Sequence, residues 1–167
     1  MPYANNKITN ESLEHDVDQL WSAILSHVFP CSKGYPVMQL GPIDHQEHRK
    51  PDIIVKYLKG GRDYIILTME NKRPRMLENA DGWKQACDQL QRYLAKEVIL
   101  SASHPSIPQY GLTAIGKHVW FYKVKRRSHG SLEEYESEDN GLEVYNDREK
   151  VLRKLLTVRQ IVEENIL

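Results

Sequence analysis

Cysteine is scarce in this chain: Cys31 and Cys87 are the two in 167 residues. That excludes a disulfide framework and falls short of the ligands a structural zinc site normally takes. Both are read as reduced thiols of a protein of the cytoplasm or nucleus. Charge of one sign is lacking too: 23 Lys+Arg balance 23 Asp+Glu. A balanced chain does not bind nucleic acid avidly through bulk charge alone. No apolar run approaches the roughly 18–20 residues that cross a bilayer. The N-terminal stretch from Met1 to Lys7 lacks the apolar run of a secretory signal. An intracellular protein without membrane attachment is expected.

What is present is globular in composition, 40% apolar and 28% charged. The length suits one domain over residues 1–167, with a core that buries roughly two-thirds of the unfolded surface. The charges are unevenly distributed. Residues 1–130 carry 18 basic and 13 acidic side chains, and residues 131–167 carry 5 basic and 10 acidic. The balance is therefore a sum of two unlike halves, and it does not exclude a local basic rim that contacts phosphate.

Apolar residues from Leu13 to Val28 recur at three- and four-residue steps, which predicts a helix over 10–28 with Asn10 as N-cap and Pro30 as its stop. Tyr35 to Leu40 reads as a short strand, followed by a polar loop from Asp44 to Lys50. Two β-rich runs, 53–58 and 64–69, flank a turn over Lys59-Gly-Gly-Arg-Asp63 and form a hairpin. A second helix spans about 81–98, a proline-containing loop covers 101–109, and a second hairpin joins 111–115 to 119–124. Trp83 and Trp120 fall in periodic apolar patterns and are read as core. Residues 131–147 read as an acidic linker, and 148–165 as a C-terminal helix. The order α-β-β-β-α-β-β-α gives an α/β class fold, a mixed sheet flanked by helices, with its core in 10–127.

The first hairpin carries the chemistry. Pro51-Asp52 opens one strand and Glu70-Asn71-Lys72 closes the other. Side chains alternate along a strand, so Glu70 and Lys72 share a face. If the turn centres on Gly61, Asp52 pairs with Glu70; if it centres between Gly60 and Gly61, Asp52 faces Met69 and points to the wrong side. Convergence of the two carboxylates therefore calls for an odd-length turn. Paired carboxylates repel, and a hard divalent cation such as Mg²⁺ or Mn²⁺ relieves that repulsion through oxygen ligands. The cation polarises a phosphodiester oxygen and acidifies water, while a neighbouring lysine holds that water or stabilises charge on the phosphate. In the second helix, Gln89 and Tyr93 lie four apart and share a face.

Pro51-Asp52, Glu70-Asn71-Lys72 and Gln89-x-x-x-Tyr93, in that order, resemble the PD-(D/E)XK nuclease superfamily, and in particular its RecB-like branch with a QxxxY motif. The element order matches the superfamily core over about 10–127. The resemblance implies a restriction-endonuclease-like fold and a Mg²⁺- or Mn²⁺-dependent nuclease acting on DNA ahead of RNA. It implies that Asp52 and Glu70 ligate the metal together with the main-chain carbonyl of Asn71, and that Lys72 positions or activates water. Gln89 and Tyr93 would orient Lys72 or the substrate. An acidic residue of the first helix is expected to join, Glu14 ahead of Glu11 and Asp18. Arg73 and Arg75, directly after the motif, and Lys123 and Lys125 are candidate phosphate contacts. His15, and the loop residues Asp44, His45, Glu47 and His48, read as solvated. A homodimer or a protein partner is compatible with all of this. The alternative is a catalytically inactive module of the same fold that binds nucleic acid or protein.

Overall fold

The computed structural model describes residues 8–40, 50–79, 81–95, 108–125, 131–134 and 141–166. The first helix, α1, runs Glu14–Val28 and buries Val17, Leu20, Trp21, Ile24, Leu25 and Val28. It starts one turn later than the periodicity predicts. Leu13, not Asn10, is the N-cap, and the Asp16 carboxylate accepts the Leu13 N–H at 2.7 Å. Asn10 instead donates its side-chain amide to Glu78.

Three strands follow: β1 (Val37–Gln39), β2 (Ile53–Lys59) and β3 (Arg62–Lys72). A short 3-10 turn over Pro74–Glu78 leads into α2 (Gly82–Leu94). Then come β4 (Tyr110–Ile115), β5 (His118–Lys125), β6 (Ser131–Glu134), β7 (Leu142–Glu143) and α3 (Arg148–Ile166). The sheet order is β1-β2-β3-β4-β5-β6, with β7 also on β5. Among the described residues only β3 and β4 pair in parallel, and α2 is part of the crossover that a parallel pair requires.

The stretch read as an acidic linker is corrected here. Residues 131–134 pair with the end of β5, and Leu142 and Glu143 pair with its start. Leu142 and Val144 are buried in the main core.

Helices cover both faces. On one, α1 and α3 bury Val17, Trp21, Ile24, Val151, Leu155 and Val158 against Ile53, Val55, Leu67 and Met69. On the other, Leu90 and Leu94 of α2 pack on Ile54, Ile65 and Tyr122. Trp83 and Trp120 are half-buried at the margin of this smaller cluster, their rings 6.3 Å apart.

The β2–β3 hairpin departs from expectation. Lys59 pairs with Arg62, so the turn is the two residues Gly60 and Gly61, both left-handed at φ 60° and 75°. An even turn of that kind matches the twist of the strands. By itself it would set Asp52 opposite Met69. A bulge intervenes: Lys56 pairs with Ile65 but Val55 pairs with Leu67, leaving Ile66 as the extra residue. Ile66 and Leu67 both enter the main core in succession. From there the register runs Ile54 to Thr68 and Ile53 to Met69, which brings Asp52 to Glu70. The expected odd-length turn is thus replaced by an even turn and a bulge.

Candidate active site

The face of the sheet under α2 is ordered by register. Glu70 pairs with Thr113, and Thr113 with Trp120. Lys72 pairs with Ile115, and Ile115 with His118. Paired residues share a face, so Asp52, Glu70, Lys72 and Thr113 all lie on the α2 side, where Tyr93 is buried.

Asn71 is the hub of the cluster. Its backbone N–H donates to the Asp52 carboxylate at 2.6 Å, and its carbonyl accepts from Lys72 Nζ at 3.0 Å. Lys72 Nζ also donates to Glu70 Oε1 at 2.5 Å. Glu70 is only 2% exposed, and its Oε2 has no hydrogen-bond partner among the described residues.

Burial raises the Asp52 carboxyl to about 7; the Asn71 N–H and Lys72 oppose the rise, and Asp18 and Glu14 add to it. Glu70 is raised to about 8, first by burial and next by the charge of Asp52, with Lys72 opposing. For Lys72, burial is the largest single influence and pulls the ammonium down. Glu70, Glu14 and Asp52 together outweigh it and hold the group above its ordinary value. The Tyr93 phenol is pushed up by burial and then by Glu70 and Asp52. Gln89 lies one turn earlier, with its Oε1 buried and without a hydrogen-bond partner among the described residues.

The acids of α1 and its approach separate by role. Glu11 pairs with Arg75 at 2.6 Å. Glu14 is exposed, and its charge is felt by Asp52, Glu70 and Lys72. Asp18 is half-buried and accepts a hydrogen bond from the Asn71 side-chain amide at 2.8 Å. Sequence reasoning used Asn71 only for its carbonyl and did not find this link. The available signal was strand alternation, which turns Asn71 toward α1 and leaves a buried amide in need of a partner.

The basic candidates divide. Arg73 is exposed directly after the motif. Arg75 is held by Glu11. Lys123 pairs with Tyr110, at the opposite end of β4 from Ile115, and it alternates with Trp120 and Tyr122. It therefore lies on the far face and at the far end from Lys72, which removes it as a contact to a phosphate at this cluster. Lys125 is on β5, but its side chain lies outside the described residues, as do Asp44, His45, Glu47 and His48. His15 is on the surface, 3.3 Å from Asp16.

The arrangement suits a hard cation. The donors would be the oxygens of Asp52, Glu70 and the Asn71 carbonyl. Lys72 Nζ already places a positive charge on two of these, and Glu70 Oε2 is a buried acceptor still without a partner among the described residues. Among the described residues there is no cluster of three or more His, Cys, Asp or Glu side chains able to hold a metal. A set of two carboxylates and one carbonyl is consistent with that.

No protein-family model and no curated protein matches the chain. A solved structure, that of the type IIG restriction endonuclease BpuSI, matches with a TM-score of 0.57 at 12% identity, over 99% of this chain and 18% of that one. The chain thus spans less than a fifth of BpuSI in length, and the likeness is one of fold: this is a restriction-endonuclease-like domain. No helix among the described residues is long and apolar enough to cross a membrane.

Proposed function

We propose that the chain is a divalent-metal-dependent nuclease of the PD-(D/E)XK type, from the RecB-like branch, hydrolysing phosphodiester bonds of DNA in preference to RNA. The observation that carries this is the convergence of Asp52, Glu70 and Lys72 around Asn71, with one buried Glu70 oxygen left without a partner among the described residues. The fold is that of a restriction endonuclease, and the DNA preference is taken from what BpuSI is by name.

Asp52, Glu70 and the Asn71 carbonyl would hold Mg²⁺ or Mn²⁺, with Glu14 near enough in charge to assist. Bound there, the cation supplies the positive charge that polarises a phosphodiester oxygen and acidifies water. Lys72 is the donor of the site. Its Nζ holds water in line with phosphorus, or donates to a phosphate oxygen as negative charge develops there. In hydrolysis, the water oxygen joins phosphorus and gives up a proton, the ester P–O bond breaks, and the leaving oxygen takes up a proton. Buried Tyr93 and half-buried Gln89 keep Lys72 and the phosphate oriented. Arg73 is a candidate contact to the next phosphate, and Arg75 joins it only when released from Glu11.

A second reading is an inactive module that binds nucleic acid or a protein partner. The Lys72–Glu70 ion pair favours it, because Nζ neutralises a ligand oxygen without any metal. Cleavage of single- and double-stranded DNA and RNA with Mg²⁺ or Mn²⁺ separates the two. The nuclease cuts, chelator stops it, and Asp52→Ala and Lys72→Ala do not cut. Equal behaviour of all three chains would leave the inactive module.

A further inference from the structure

Asp18 and Asn71 meet across the edge of the core, and the site described above does not use the contact. Every polar group of Asn71 but one is engaged: its N–H by Asp52, its carbonyl by Lys72, and its side-chain amide by Asp18. The residue is fully buried. Because side chains alternate, its side chain leaves the sheet on the face opposite Glu70 and Lys72. The Asp18 carboxylate therefore grips the motif from behind while the backbone of Asn71 serves the front. Asp18 is itself tied in place, since its main-chain carbonyl accepts from Gln39 on β1 at 3.1 Å. The link thus joins α1 and the sheet edge to the end of β3.

We infer that Asp18 is a positioning residue: by holding the Asn71 side-chain amide it pins the Asn71 Cα and the two peptide units that meet there, and so aims the carbonyl that would face the cation and the N–H that orients Asp52. The N–H and the carbonyl belong to the two planar peptide units that meet at the Asn71 Cα, and a side chain pinned on the opposite face restrains both at that atom. Glu14, by contrast, is exposed and acts on the site through its charge. The inference rests on the metal-dependent reading proposed above and adds a role for one α1 acid that is distinct from ligation.

The test is Mn²⁺ binding to the full chain by titration calorimetry, for wild type, Asp18→Asn, Asp18→Ala and Asn71→Ala. An asparagine at position 18 keeps an acceptor oxygen for the Asn71 amide while losing the charge, so its affinity stays within about threefold of wild type. Asp18→Ala and Asn71→Ala each lose about 10- to 100-fold, the usual consequence of losing a group that orients a ligand. The double variant is no weaker than either single one, because both remove the same link. Asn71→Ala retains the backbone groups, so it tests the link should Asp18→Ala fail to fold. Equal large losses in Asp18→Asn and Asp18→Ala overturn the inference, because the charge itself is then required. Additive losses in the double variant, or unchanged affinity in Asp18→Ala, overturn it as well. A wild-type chain that binds no Mn²⁺ overturns the metal-dependent reading, and the inference with it.

Discussion

In the proposed reaction Lys72 is the residue on which the chemistry turns, and its surroundings are mutually dependent. Its ammonium is kept charged by Glu70, Glu14 and Asp52 against the cost of its own burial. Lys72→Met keeps the length of the side chain but removes the donor. Steady-state cleavage assays are expected to show turnover reduced by about 10²–10⁴-fold, the range for a lost proton-handling group, with Mn²⁺ affinity retained or raised. The two carboxyls also imprint a pH dependence on stability. Asp52 and Glu70 are raised in the folded chain to about 7 and about 8, from ordinary values of 3.8 and 4.5. A raised folded-state value means that the fold favours the protonated form. The contribution is complete below the unfolded values and is lost as pH rises through the folded ones. The metal-free chain is therefore expected to melt at a lower temperature at pH 9 than at pH 6. Glu70→Gln, or saturating Mn²⁺, flattens the decline, and calorimetric melts across that range check it. At this scale, the motif residues could be read from sequence because their spacing within one hairpin and one helix is local. Alternation marks the Asn71 amide as needing a partner, but that the partner is Asp18 was not legible, because the two lie 53 positions apart and meet only when α1 docks on the sheet.

At the scale of elements, the β2–β3 hairpin shows how a site depends on counting. The strands and the glycine turn were legible from β-branched runs and the Gly60-Gly61 pair. The bulge was not, because Ile65, Ile66 and Leu67 are interchangeable in apolar character and nothing in their order marks which one goes unpaired. Deleting Ile66 removes the bulge yet leaves Asp52 opposite Glu70. That variant is expected to bind Mn²⁺ while losing about 2–5 kcal/mol of stability with the buried side chain. Inserting an alanine between Thr68 and Met69 turns Glu70 and Lys72 to the other face and is expected to abolish Mn²⁺ binding. Circular dichroism melts together with calorimetry distinguish the two outcomes. The approach to α2 is similarly exacting. A Cβ on Gly82 would come within 2.0 Å of the Met76 carbonyl oxygen, so Gly82→Ala displaces the 3-10 turn that follows the motif. The two strands in the acidic stretch were illegible for a different reason: Ser131–Glu134 has little apolar alternation, and its pairing is supplied by the waiting edge of β5.

Across the whole molecule, the candidate site lies on the α2 face and the larger buried cluster on the other. Val151, Leu155, Val158 and Val162 of α3 are buried with α1 in the main core, and Arg159 donates to the Val28 carbonyl at the end of α1 at 2.8 Å. This C-terminal helix is therefore part of the body of the domain, although its amphipathic pattern in sequence shows only that it packs. Leu155→Ala is expected to cost about 2–5 kcal/mol of stability, measured by denaturant melts, and to leave Mn²⁺ affinity within about twofold, since α3 contributes nothing to the α2 face. The balanced net charge fits the same division. A cation held by the buried carboxylates, as proposed, would supply the local positive charge that the chain as a whole lacks, so phosphate contact would not require a basic surface.

The most direct measurement is a crystal of the full chain soaked in Mn²⁺, with the anomalous signal used to locate the ion. The account predicts one peak bounded by Asp52, Glu70 and the Asn71 carbonyl, with Lys72 Nζ moved off Glu70 Oε1. A peak elsewhere, or none with the Lys72–Glu70 pair intact, would contradict it.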